Sequence, residues 1–185
     1  MYWQRRVAYL RDEKAYKQLY FYFYTSLHRF TLSLLADPET AEELVSDIMI
    51  RIWLMEEKLS NINRLDLYLF KAVKNAAFAH ISKNRLPVIP AEDGHLNHAG
   101  YLTADSKINE REISSRIEAI VQDLPPQSQM VFRLVKDEGL SYKEVQEVMG
   151  ISNNTIKTHI RIALKRIRAA LEGFTNETNT EKQGR

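Results

Sequence analysis

The chain has 185 residues, 44% of them apolar, with 26 Lys and Arg against 24 Asp and Glu and a formal net charge of +2. This length suits one domain or two small ones, and so small a net charge does not mark a nucleic-acid protein unless the charge is unevenly distributed. There is no cysteine, which excludes disulfides and cysteine-ligated zinc, and no run approaches the ~20 apolar residues of a membrane span.

The N-terminal MYWQRRVAYLRDEKAYK carries charges throughout and has no apolar signal-peptide core. A cytoplasmic chain without membrane insertion is therefore expected. Ala15, Leu19, Tyr22, Phe23, Leu27, Phe30 and Leu34 recur at helical spacing between Lys14 and Leu35. The aromatic run Tyr20–Tyr24 reads as core plus half-buried tyrosines. Asp37-Pro38-Glu39 supplies a cap, a proline at the first helical position and an acid in the first turn. The helix it starts is expected to run to about Lys58. Ala41, Leu44, Val45, Ile48 and Ile52 form its apolar stripe, with Trp53 as a core anchor at the edge. Glu43 and Asp47, one turn apart, lie outside the stripe with Glu42 and Ser46. Carboxylates repel phosphate, so this face is either plain solvent or a protein-binding patch.

Ser60-Asn61-Ile62-Asn63 reads as a loop, followed by a helix from about Leu65 to Lys83. Tyr68, Lys71, Lys74, Asn75 and Phe78 share one arc of that helix, which Arg64 and Arg85 would extend. Leu69, Ala72, Val73, Ala76 and His80 share the other, where His80 reads as a core histidine. Cations interleaved with rings suit single-stranded nucleic acid, because bases stack on the rings while phosphates meet Lys and Arg. A surface helix with Phe78 packed on a neighbour explains the same residues without a ligand. Between Arg85 and Asn109 the texture changes to Pro87, Pro90, Gly94 and Gly100 with little periodicity, as in an interdomain linker. His95 and His98 within it have no acidic or cysteine companions and read as a solvated pair.

The second domain starts near Ile113, and Leu124-Pro125-Pro126 opens a helix that ends at Gly139. In LSYKEVQEVMGISNNTIKTHIRIALKRIR (140–168), Ser141 and Glu144 make a capping-box pattern. Gly150 falls where a helix end favours a left-handed residue, and Ser152 can cap the next helix. Ile156, Ile160, Ala163, Leu164, Ile167 and Leu171 lie on one arc of that helix. Asn154, Lys157, Thr158, Arg161, Lys165 and Arg168 lie on the opposite arc. This is the pattern of a helix-turn-helix, whose second helix enters the major groove by its N-terminal half. Lys165, Arg166 and Arg168 also suit the helix dipole without any DNA. Between Ser152 and Glu172 the bases at 157, 161, 165, 166 and 168 face the single acid Glu172, whereas acids outnumber bases from Glu112 to Ile151. Positive charge is thus concentrated on the second helix, the footprint expected of a duplex-DNA reader. The tail after Gly173, FTNETNTEKQGR, is polar and expected to be disordered.

The fold class is therefore all-α, with two small helical domains. Neither a metal site, a phosphate-binding glycine loop nor a paired nucleophile and base can be made out, so no cofactor, metal or catalytic role is expected. The order of acidic helix, loop, basic-aromatic helix, linker and helix-turn-helix resembles the bacterial extracytoplasmic-function sigma factors. The segments carrying the likeness are AEELVSDIMIRIW (41–53), LYLFKAVKNAAFAHI (67–81) and 124–168. The resemblance implies a first domain over 1–85 that opens and holds the minus-ten promoter element. It implies a linker over 86–111, and a second domain over 112–172 that reads the minus-thirty-five element as duplex, with the tail at 173–185. It places Glu43, Ser46 and Asp47 against the coiled coil of the polymerase beta-prime subunit, with serine at a position where the family commonly has glutamine. It assigns Asn61, Ile62 and Asn63 to the loop that receives a flipped base, whose edge is readable once unstacked. Tyr68 stands where a tryptophan is frequent, and Lys71, Lys74 and Asn75 match strand-contacting positions. Lys157, Thr158 and Arg161 match groove-facing positions. The implied partners are core RNA polymerase and promoter DNA, and members are often restrained by an anti-sigma factor. The competing reading is a LuxR-like helix-turn-helix regulator that binds duplex DNA as a dimer. It would need neither the acidic face nor the basic-aromatic one.

Overall fold

The computed structural model describes residues 2–35, 37–84 and 110–183. Among these residues every regular element is helical, as the sequence predicts. Most of the expected linker, with His95 and His98, lies outside the described residues. The elements are α1 (Tyr2–Leu10), α2 (Glu13–Leu35), α3 (Pro38–Leu54), a 3₁₀ helix (Glu56–Asn61), α4 (Leu65–Asn84), α5 (Glu110–Gln122), α6 (Pro126–Lys136), α7 (Tyr142–Met149) and α8 (Asn153–Gln183).

Local chemistry explains most of the boundaries. Asp37, in an extended conformation, accepts a hydrogen bond from the Thr40 amide at 3.1 Å, and Pro38 occupies the first turn of α3. The two Thr40 donors hold the Asp37 carboxyl below its ordinary range, the side-chain hydroxyl most strongly. α3 stops at Leu54, short of the expected Lys58. Glu56 takes a left-handed φ of 50°, which an L-residue disfavours and an α-helix cannot continue through. The tighter 3₁₀ coil that follows buries Leu59 completely, and α1 packs over it.

α1 is an element the sequence reading lacks, because its charges are interleaved with its apolar residues. Val7 and Ala8 are nonetheless buried. At the other end, α8 continues to Gln183, through the segment expected to be disordered. Gly173 disfavours a helix by about 1 kcal/mol relative to alanine, but Glu, Lys and Gln beyond it are good helix formers and no proline interrupts.

In the first half, Leu19, Leu27 and Phe30 of α2, Val45, Met49 and Ile52 of α3, and Leu69, Phe70 and Val73 of α4 are buried in one cluster. That cluster extends into the second half through Met130, Val131 and Leu134 of α6, Val145 and Val148 of α7, and Ile156 and Ile160 of α8. The two halves are therefore in direct contact, α2 against α6 and α4 against α7. A second cluster of Val121, Leu124, Phe132 and Ala163 ties α5, α6 and α8. The buried Arg133 guanidinium is neutralised by Glu118 at 2.7 Å and Asp137 at 3.2 Å, as a buried cation requires.

Four packing expectations need correction. Tyr22, placed on the apolar arc of α2, is 61% exposed, and Phe21 beside it is 62% exposed; Leu19, Phe23 and Leu27 already fill the arc that faces the core. Leu164 is 47% exposed because Ala163 takes the buried position on α8. His80 is half-buried rather than core, and its charge helps lower the Asp37 carboxyl. Trp53 is also half-buried, clamped by Tyr16 at 5.0 Å and the Arg11 guanidinium 4.0 Å above its ring.

Candidate polymerase and nucleic-acid interfaces

The second helix of the helix-turn-helix is aimed by the residues around its turn. Ser141 and Glu144 cap α7 reciprocally, the Ser141 amide donating to Glu144 Oε2 at 2.7 Å and the Glu144 amide to Ser141 Oγ at 3.4 Å. Gly150 closes α7 at φ 71°, ψ 26°. A Cβ there would meet nothing within 4 Å, so glycine is required by conformation and not by space. Ser152 Oγ accepts from the Thr155 amide at 3.1 Å and starts α8. Buried Ile156, Ile160 and Ala163 then fix the rotation of α8.

With α8 so held, Asn154, Lys157, Thr158, Arg161 and Lys165 are all exposed on one face. Thr158 Oγ1 donates to the Asn154 carbonyl at 3.0 Å, so it offers an acceptor and a methyl group outward more readily than a donor. Arg166 is different, since it donates to the Asp123 carbonyl at 3.1 Å and ties α8 to the end of α5. His159, half-buried, is held by Ser128 at 3.0 Å. A shallow groove of about 580 Å³ runs along this face between Tyr142, Lys157, Arg161, Leu164 and Arg168.

The basic-aromatic arc of α4 is a true surface. Tyr68 is 39% and Phe78 47% exposed, flanked by exposed Lys71 and Asn75. Lys74 is half-buried, and burial, then the charge of Lys71, lowers its ammonium pKa. Asn61 and Asn63 are exposed beside this arc, with Ile62 between them half-buried. Arg64 does not extend the free cationic surface, because it pairs with Asp66 at 2.7 Å and with Glu144 of α7. Arg85 lies outside the described residues.

On α3, Glu43 and Asp47 are exposed, and Ser46 is half-buried 3.5 Å from the Tyr20 hydroxyl. The same side continues into Ile50, 52% exposed, and Leu54, 65% exposed. Residues 43, 47, 50 and 54 follow the i, i+4, i+7, i+11 spacing of one helical stripe. Carboxylates that give way to exposed apolar area repel phosphate and are compatible in chemistry with contact to protein. Ile50 and Leu54 are missing from the sequence reading. Their signal was present, as two large apolar residues off the stripe of Ala41, Val45, Ile48 and Ile52.

Three surfaces of different chemistry thus follow one another along the chain. The sequence matches the Sigma-70 region 2 family over residues 19–86 and the Sigma-70 region 4 family over residues 114–167. The chain belongs to the extracytoplasmic-function sigma factors. It is 22% identical over 160 residues to the ECF RNA polymerase sigma factor SigM of Bacillus subtilis (strain 168), covering 86% of this chain and 97% of that protein. It is 24% identical over 146 residues to the ECF RNA polymerase sigma factor EcfG of Rhodopseudomonas palustris (strain TIE-1), covering 79% of each. Its fold is similar to that of the sigma factor RpoE from Bartonella quintana, solved with the anti-sigma factor NepR, at a TM-score of 0.58, 20% identity and coverage of 86% of this chain and 98% of that one. It is also similar to CnrH, solved with the cytosolic domain of CnrY, at a TM-score of 0.55 and 17% identity, covering 92% of this chain and 96% of that one.

As a sigma factor it directs promoter-specific transcription initiation by RNA polymerase. The region 2 match includes α3 and α4, which a LuxR-like regulator would not need, and the alternative reading is not favoured. No described helix is long and apolar enough to cross a membrane.

Proposed function

We propose that this sigma factor divides promoter recognition among its three exposed faces. The stripe of Glu43, Ser46, Asp47, Ile50 and Leu54 docks on core RNA polymerase, at the beta-prime coiled coil. Asn61, Ile62 and Asn63 receive a flipped base of the minus-ten element. Tyr68, Lys71, Lys74, Asn75 and Phe78 hold the unwound strand by stacking and phosphate contact. Asn154, Lys157, Thr158, Arg161 and Lys165 read the minus-thirty-five element in the major groove. Residues 1–85 and 112–172 are the functional units. The chain has no catalytic activity of its own and works in the cytoplasm. A partner that covered these faces would silence it, and because the similar sigma factor RpoE is solved with the anti-sigma factor NepR, an anti-sigma factor is the third partner we propose.

The observation that carries this reading is the exposed acidic-apolar stripe of α3 next to the exposed cation-aromatic arc of α4. A duplex-binding regulator has use for neither. Glu43→Lys combined with Asp47→Lys should weaken binding to core polymerase in a pull-down titration while gel-shift binding to the upstream duplex stays at wild type. Unchanged core affinity would remove α3 from the interface.

A further inference from the structure

We infer that α1 braces the base-receiving loop and that Gln4 is the residue positioning it for promoter discrimination. The inference rests on the reading of Asn61–Asn63 as that loop, and adds the groups that set its backbone.

The contacts within the loop are short-range, among them the Ser60 hydroxyl donating to the Glu57 carbonyl at 2.7 Å. α3 has ended at Leu54, Glu56 is in a left-handed conformation, and the 3₁₀ helix closes only short i to i+3 bonds, such as the Ile62 amide to the Leu59 carbonyl at 3.2 Å. Two of its carbonyls also accept from α1. Gln4 is only 4% exposed. Its Nε2 donates to the Leu59 carbonyl at 2.8 Å and to the Ile62 carbonyl at 2.7 Å. A side-chain amide has two N–H donors, so both are spent on this loop, one on each side of Ser60 and Asn61. Five residues further along α1, the Tyr9 hydroxyl meets Ser60 Oγ at 2.8 Å. Arg11, just past α1, donates to the Trp53 carbonyl and lies over its ring. α1 therefore grips the connection at its middle and its end, and Arg11 beyond it holds the last turn of α3, while buried Val7, Ala8 and Leu59 hold the two elements together.

The functional consequence follows from what base reading demands. A hydrogen-bonding site discriminates only when its groups are held within about 0.5 Å and 10–20° of the productive geometry. Asn61 and Asn63 are exposed and cannot lock themselves by packing. Their placement passes to the Leu59 and Ile62 carbonyls, which flank Asn61 and precede Asn63, and through these to Gln4. The region 2 match begins at residue 19, so this brace lies upstream of the segment that identifies the domain.

The test uses the full chain assembled with core polymerase on promoters in which each minus-ten base is replaced in turn. Gln4→Met keeps the side-chain length and removes both donors; Tyr9→Phe removes only a hydroxyl; Asn61→Ala with Asn63→Ala marks the positions the loop reads. Gln4→Met should lower the preference for the cognate base by about five- to tenfold, within the range of a lost base contact, at those same positions. It should leave core affinity unchanged and speed amide exchange at residues 59–63. Tyr9→Phe should give a smaller loss at the same positions, and carries the test if Gln4→Met does not fold. A merely structural role would depress all promoters alike. That result, or wild-type preference in a folded Gln4→Met variant or in the Tyr9→Phe substitute, overturns the brace while loss in the asparagine variant leaves the loop reading standing. Full preference in the asparagine variant overturns the loop reading, and the inference falls with it.

Discussion

α8, the proposed duplex-reading helix, and the loop at Asn61–Asn63, the proposed base receiver, both present exposed residues, yet they are built in opposite ways. α8 is organised by the helix and turn directly before it: the capping box of α7 at Ser141 and Glu144, the left-handed Gly150 and the Ser152 cap. Its burial pattern repeats at helical spacing. The loop at Asn61–Asn63 has no periodicity, and its Ile62 carbonyl, like the Leu59 carbonyl just before it, is bonded by a residue 55 to 58 positions away. A surface that reads regular duplex can be carried on a regular element that aims itself. A surface that must receive one extruded base needs an irregular backbone, and irregular backbone has to be held from outside.

If α8 is locally built, removing one of its anchors should be the most damaging change. Ile156 is fully buried, and Ile156→Ala should cost about 2–5 kcal/mol, read from denaturant titration, with loss of upstream duplex binding. Less than about 1 kcal/mol, below the usual range for such a truncation, would mean that α8 is held chiefly by contacts with the first half. Arg161→Ala tests the face and not the frame. It should cost about 1–3 kcal/mol of duplex affinity, with discrimination lost only if Arg161 meets a base edge and not a phosphate. Its melting temperature should stay at wild type. Gel shifts at fixed salt that show no loss would take Arg161 out of the interface.

Gly150→Ala isolates the turn. With nothing within 4 Å of the added Cβ, only the left-handed backbone penalty of about 1–2 kcal/mol should appear, measured as stability. A larger loss would show that the turn also needs close approach.

The smallest effect concerns Glu144. Hydrogen bonds from Ser141, then Arg64, lower its carboxyl from 4.5 to about 2. A depressed acid stabilises the fold above its unfolded pKa, and that contribution is lost as pH falls through the folded one. The stability gap between wild type and Glu144→Gln should be constant above about pH 4.5 and close between there and pH 2. A gap that persists at pH 2 would assign the capping box a shape role and not a charge role.

The parts of this protein that could be read in its sequence are those whose causes are short-range. Asp37-Pro38, Ser141 with Glu144, Gly150 and Ser152 act over three or four residues, so the α3 start, the helix-turn-helix and the exposed face of α8 are as expected. The exposed arc of α4 was legible for the same reason, because its two faces differ at helical period. The tertiary structure alone decided which apolar residues stay outside. Ile50, Leu54, Tyr22 and Leu164 have the chemistry of core residues, and only the number of neighbouring helices, and where they end, leaves them uncovered. It decided, too, that Arg64, already paired with its neighbour Asp66, is engaged by Glu144 from 80 residues away. It also decided that Gln4, an unremarked polar residue in a charged N-terminal segment, is buried against the loop. A hydrogen bond between distant residues leaves no periodicity in either segment, so no pattern along the chain can announce it.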